Sequence, residues 1–180
     1  MSFRLDRLSV LVVDDNRHML TLIYDILRGL SIRNVTRLTN AADAFKEMQI
    51  RAVDLAVCDY SMEPLSGIEF TQLLRNSKDS PDRYLPIIMV TGYSDLGTVT
   101  QARDAGVTEF LAKPISARGL YARILEVINN PRPFVRTKNY FGPDRRRRND
   151  GYNGPERRQL LLNETSADAF EAVPAEKISA

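Results

Sequence analysis

The sequence predicts an α/β domain: a doubly wound, five-stranded parallel sheet with helices on both faces. Three observations carry that expectation. Short apolar runs recur five times within the first 130 residues. Segments of helical periodicity lie between and after them, which is the alternation that builds parallel sheets. Four of the five runs end in polar or charged residues. Crossovers in such a sheet are right-handed, and its chemistry gathers at the carboxyl ends of the strands.

The elements follow in order. Leu8–Asp15 is a continuous apolar run closed by two acids, the pattern of a strand buried on both faces. From Asn16 to Leu30 the residues Met19, Leu20, Ile23, Ile26, Leu27 and Leu30 fall at helical spacing, with Gly29 near the stop. Asn34–Thr39 is a shorter strand. Asn40 suits an N-cap, and Ala44, Phe45 and Met48 share a face of the helix behind it. Asp54–Asp59 is the third strand, and Gly67–Asn76 is a helix with apolar Ile68, Phe70, Leu73 and Leu74. Pro86–Thr91 is the fourth strand. Asp95–Ala105 is a weak helix, since Gly97, Thr98 and Thr100 have low helical propensity. Val107–Ala112 is the fifth strand, and Ser116 caps a last helix reaching about Asn130.

Composition divides the 180 residues into a domain at 6–130 and a tail at 131–180. Residues 1–130 carry 15 basic and 16 acidic side chains, whereas 131–158 carry 9 and 3, and 159–180 carry 1 and 4. The net charge of +2 therefore hides a basic stretch behind a near-neutral domain. A single cysteine excludes a disulfide framework, and one histidine beside it excludes a Cys/His zinc site. No apolar run approaches the length of a membrane span, and the N-terminus does not read as a secretory signal, so a cytoplasmic location is expected.

The strand ends carry the chemistry. Asp14 and Asp15 end the first strand, Asp59 the third, Thr91 the fourth and Lys113 the fifth, so five polar groups from four strands converge on one edge. Three carboxylates in one crevice repel one another and require a cation. An all-oxygen donor set selects a hard ion, and few protein ligands with several waters favour Mg²⁺. A metal, a lysine, a hydroxyl and a nucleophilic carboxylate together suit phosphoryl transfer.

Asp14-Asp15 behind an apolar strand, Asp59 in DYSMEPLSG, Thr91 in VTGYSD and Lys113-Pro114 together resemble the receiver domain of two-component response regulators. The resemblance covers about residues 6–130 and implies a flavodoxin-like strand order 2-1-3-4-5. It implies Asp59 as phosphoacceptor. It implies Asp15, Asp59 and the backbone carbonyl of Ser61 as Mg²⁺ ligands, with Asp14 acting largely through water. Lys113 takes the role of the phosphate-binding lysine, and Thr91 and Phe110 those of the switch pair. The Lys113–Pro114 bond resembles the family's cis peptide. The Met62-Glu63-Pro64 sequence departs from the commoner Met-Pro. The expected partners are a sensor histidine kinase or histidine phosphotransfer protein and an unnamed downstream protein. A homodimer through the face of the fourth helix, fifth strand and fifth helix is left open. The chain is expected to be a single-domain response regulator and not a turnover enzyme. A haloacid-dehalogenase-like phosphatase fits less well, because Asp59 is followed two residues later by Ser61 and not by a second aspartate.

Two reactive side chains take plainer readings: Cys58 as core packing and His18 as a surface residue. In the tail, Tyr140-Phe141-Gly142-Pro143-Asp144-Arg145-Arg146 recurs twelve residues later as Tyr152-Asn153-Gly154-Pro155-Glu156-Arg157-Arg158. Gly-Pro turns the chain, tyrosine offers an anchor and arginine a planar fork. A docking peptide used twice is expected at Tyr140, Arg145, Arg146, Tyr152, Arg157 and Arg158, within a tail otherwise expected to be largely irregular. Its partner is a protein, this domain included, or an anionic ligand. Nucleic acid is the less favoured reading, since three acids interrupt the basic run.

Overall fold

The structure, a computed structural model, describes residues 4–92 and 96–145. Arg146, Tyr152, Arg157 and Arg158 lie outside the described residues, as does the whole second copy of the repeat.

A short 3-10 turn, Leu5–Arg7, leads into β1 (Ser9–Val13), followed by α1 (Arg17–Gly29), β2 (Asn34–Leu38) and α2 (Ala41–Ile50). Next come β3 (Leu55–Asp59), α3 (Gly67–Asn76), β4 (Ile87–Thr91), α4 (Leu96–Ala105), β5 (Glu109–Ala112) and α5 (Ala117–Asn129). The five strands form one parallel sheet in the order β2-β1-β3-β4-β5. The reversal beside β1 places a crevice between the ends of β1 and β3.

Strand alternation sorts the core into two layers. Val10 and Val12 of β1, Leu55 and Val57 of β3, and Ile88 and Val90 of β4 pack with Leu20, Ile23 and Leu27 of α1 and Leu120, Ile124 and Val127 of α5. Leu11, Val13, Ala56, Cys58 and Ile87 face the other way, onto Ala44 and Met48 of α2 and Phe70 and Leu74 of α3. α4 is held more thinly, for it buries only Ala102 and Ala105.

Polar side chains fix the helix starts. Asn16 accepts from the His18 and Met19 amides, Asn40 from Asp43 and Ser116 from Gly119. Ser66 and Glu69 close a capping box at the start of α3. Cys58 is fully buried, with its thiol pKa raised by desolvation first and by Asp59 and Asp14 next. His18 is exposed. Among the described residues no helix is long and apolar enough to cross a membrane.

The expectation of a largely irregular tail is corrected at its start. Phe134–Thr137 and Tyr140–Pro143 form an antiparallel hairpin, β6 and β7, turning at Lys138-Asn139. Phe134 and Phe141 are buried, and both rings meet Tyr84 edge-on, at 5.1 and 5.4 Å. Two isolated phenylalanines in a Pro- and Arg-rich stretch show no periodicity, so only the surface that receives them reveals the element.

Candidate functional site

Parallel pairing brings the carboxyl ends of β1, β3, β4 and β5 to one edge, where Asp14, Asp15, Asn16, Asp59, Tyr60, Ser61, Thr91, Gly92 and Lys113 line a cavity of about 450 Å³. Asp14, Asp59 and Thr91 are buried, while Asp15 is exposed. Carboxylate oxygens of Asp14, Asp15 and Asp59 all lie within 4.8 Å of one another. The Lys113 ammonium donates to Asp59 Oδ1 at 2.7 Å and stands 3.8 Å from Asp14 Oδ2. Backbone amides hold the other oxygens, with Asn16 N–H donating to Asp14 Oδ1 at 2.8 Å and Ser61 N–H to Asp59 Oδ2 at 3.0 Å.

Each approach has a local cause. The Lys113 amide donates to the Thr91 carbonyl at 2.8 Å, and the Tyr60 amide to the Val90 carbonyl at 2.8 Å, so the ladder continues past the strand ends into the site. The Lys113–Pro114 peptide is cis, as is Glu63–Pro64. Phe110, half-buried, packs with Met89, Ala102 and Val107 between the sheet and α4. Tyr60 reaches α4 directly, its hydroxyl donating to Gln101 Oε1 at 3.2 Å.

The electrostatics are those of a site short of positive charge. Desolvation first, and the Asp59 and Asp15 charges after it, outweigh the Asn16 amide and Lys113 and push the Asp14 pKa up to about 6. For Lys113, burial opposes the charge, but the hydrogen bond to Asp59 and the three carboxylates prevail and its pKa is raised. Asp14 Oδ2 is buried and accepts no hydrogen bond from the described residues. An acceptor left bare inside a carboxylate cluster is costly on its own and is satisfied by a cation. The oxygen donors therefore fit a hard divalent ion such as Mg²⁺, with Asp14, Asp15 and Asp59 able to hold it.

The profile of the response regulator receiver domain matches residues 10–125. The chain belongs to this family. The receiver is 28% identical over 120 residues to the chemotaxis protein CheY of Pseudomonas aeruginosa, covering 67% of this chain and 95% of that protein. It is 28% identical over 127 residues to the transcriptional regulatory protein ZraR of Klebsiella oxytoca, covering 71% of this chain but only 28% of that longer protein. Among solved structures it is similar to the receiver domain of the sensor histidine kinase PA1611 from Pseudomonas aeruginosa. That likeness has 29% identity and a TM-score of 0.58, covering 66% of this chain and 94% of that one. The PA1611 receiver carries a magnesium ion coordinated in its active-site cleft.

Asp14, Asp15, Asp59, Ser61, Thr91 and Lys113, singled out in the sequence, thus meet in one cavity of the receiver, with Phe110 behind it. Asn16 and Tyr60 are additions. Asn16 marks in the sequence only the start of a helical segment, and its amide contact to Asp14 is signalled by nothing but adjacency to the acid pair. Tyr140 and Arg145 do not reach the cavity. Tyr140 belongs to the hairpin and Arg145 follows it, and the hairpin packs at the C-terminal ends of α3 and α4, at the opposite edge of the sheet.

Proposed function

We propose that the receiver accepts a phosphoryl group on Asp59 from a phosphohistidine of a sensor histidine kinase or phosphotransfer protein, and signals through phosphorylation-dependent protein contact. The observation that carries this reading is the Lys113 ammonium on Asp59 Oδ1 at 2.7 Å, within a carboxylate cluster open to a cavity. A carboxylate oxygen of Asp59 attacks phosphorus in line, an O–P bond forms, the P–N bond to the donor imidazole breaks, and that nitrogen leaves with the electron pair. Lys113 neutralises charge on the transferring group. Asp14, Asp15, Asp59 and the Ser61 backbone carbonyl would hold a divalent ion, which would supply further charge neutralisation to the transferring group. The Thr91 hydroxyl then donates to the new phosphoryl group, worth about 1.5–3 kcal/mol for a charged acceptor.

That turn of Thr91 lets Phe110 shift from its present packing with Met89, Ala102 and Val107, which moves α4. The output face is α4-β5-α5, where Leu96 and Tyr121 are exposed; its partner is a downstream protein or a second copy. Asp59→Asn is expected to abolish labelling by a small acyl phosphate and to leave the melting temperature near that of the wild type. Labelling retained in that variant overturns the assignment.

A further inference from the structure

The hairpin lies beyond residues 10–125, which the family profile matches, yet it is built into the domain. It closes over Arg75 of α3, a fully buried arginine that Asp82 favours only from beyond ion-pair distance. Arg75 donates instead to the carbonyls of Gly106, Arg83 and Leu85 at 2.8–3.1 Å, and its guanidinium lies 5.0 Å from the Phe134 ring. β7 then presses on the end of α4. A side chain at Gly142 would meet the Gly106 Cα at 3.0 Å and the Tyr140 hydroxyl at 2.6 Å, and one at Gly106 would meet the Phe141 carbonyl at 3.3 Å, so the hairpin and the end of α4 approach closely here. Gly106 also adopts φ +99°, which a side chain would resist. Arg145 completes the contact, lying 3.8 Å over the Tyr140 ring and 3.2 Å from Asp104 of α4. Arg132 ties the hairpin's root to buried Glu109 of β5 at 2.8 Å.

We propose that the β6–β7 hairpin is an intramolecular regulatory arm, whose docking on the C-terminal end of α4 is thermodynamically coupled to phosphorylation at Asp59. The inference rests on the phosphoacceptor reading above. α4 is the shared element. Its own core contribution is two alanines. Its middle is tied to the phosphorylation site through Tyr60–Gln101, and its end to the hairpin through Asp104 and Gly106. At the other end of this path Lys113 bonds Asp59 Oδ1 directly. Displacement of α4 by the Thr91–Phe110 repacking carries Asp104 and Gly106 away from Arg145 and Gly142. Phosphorylation thus loosens the arm and, because coupling is reciprocal, a loosened arm strengthens phosphoryl binding.

The first copy of the motif holds itself together through positions that both copies share, and docks through one that they do not. The shared tyrosine and proline make the internal bond, Tyr140 hydroxyl to Pro143 carbonyl at 2.7 Å, and the shared arginine stacks on the tyrosine. The anchor is the unshared position, Phe141, which becomes Asn153 in the second copy. Release of the arm therefore frees residues 134–145.

Hydrogen–deuterium exchange on the full chain tests the coupling, with Mg²⁺ and beryllofluoride as the phosphoryl analogue. The analogue is expected to speed exchange of residues 134–143 at least about fivefold, the low end of ordinary coupling between sites. Phe141→Ala is expected to speed exchange of α4 without analogue and to tighten analogue binding by a similar factor. Arg145→Ala, which removes the ion pair to Asp104 and the stacking on Tyr140 but leaves the buried phenylalanines, is expected to move both in the same direction by less. Unchanged hairpin exchange while the loop after Asp59 becomes protected overturns the proposal. So does analogue affinity indifferent to both variants. A wild type that binds no analogue overturns the phosphoacceptor reading and the coupling with it. In that case faster α4 exchange in Phe141→Ala still separates a purely structural clamp from no clamp.

Discussion

Asp14 illustrates how one side chain can lower stability for the sake of a site. Its carboxyl is raised to about 6 in the folded protein, against an ordinary value near 3.8. Between those values the folded state holds a proton that the unfolded state has released, so stability falls as pH rises through this window. Without added metal, the melting temperature is expected to decline from about pH 4 to pH 6 on this account, and Asp14→Asn to flatten the decline and stabilise the protein above pH 6, by on the order of 1–3 kcal/mol. Mg²⁺ binding competes with the same proton, so affinity measured by titration calorimetry is expected to climb through pH 6 and then level off. Arg75 makes the opposite case of a charge fully satisfied by carbonyls. Burial pushes its pKa down to about 10, so it remains protonated at neutral pH. Arg75→Ala strands three carbonyls and is expected to cost about 3 kcal/mol or more in chemical denaturation. Arg75→Lys is expected to recover little, because a point charge cannot replace a planar fork.

At the scale of elements, legibility followed locality. The strands and the polar residues at their ends could be read from the sequence because each run is contiguous, and the strand-end rule needs no knowledge of distant contacts. Asn40 and Ser116 announced their helices for the same reason. The hairpin could not be read, since Phe134 and Phe141 are anchored by Tyr84, Arg75 and Gly106, all remote in sequence. Arg75 itself stands on an amphipathic helix, and nothing near it in the sequence signals the three carbonyls that receive it. Tertiary packing decides such cases. Phe141→Ala removes a buried ring from this contact and is expected to destabilise the protein by about 2–4 kcal/mol in urea unfolding, somewhat under the usual cost of a core phenylalanine. A loss below about 0.5 kcal/mol would mean the hairpin rests on the domain without supporting it.

For the whole molecule, one sheet serves two edges. Its carboxyl edge gathers the acids, threonine and lysine, and its amino edge carries the hairpin, with α4 spanning the distance between them. This arrangement turns a common receiver into one whose own extension can sense the state of its pocket. The account depends first on Asp59 chemistry, and mass spectrometry of the full chain after incubation with a small acyl phosphate addresses it most directly. With Mg²⁺ present, a single phosphoryl group is expected on the peptide containing Asp59, lost when the ion is chelated beforehand and absent from Asp59→Asn. A chain that takes up no phosphoryl group, or an Asp59→Asn variant that takes it up as readily, would contradict the account.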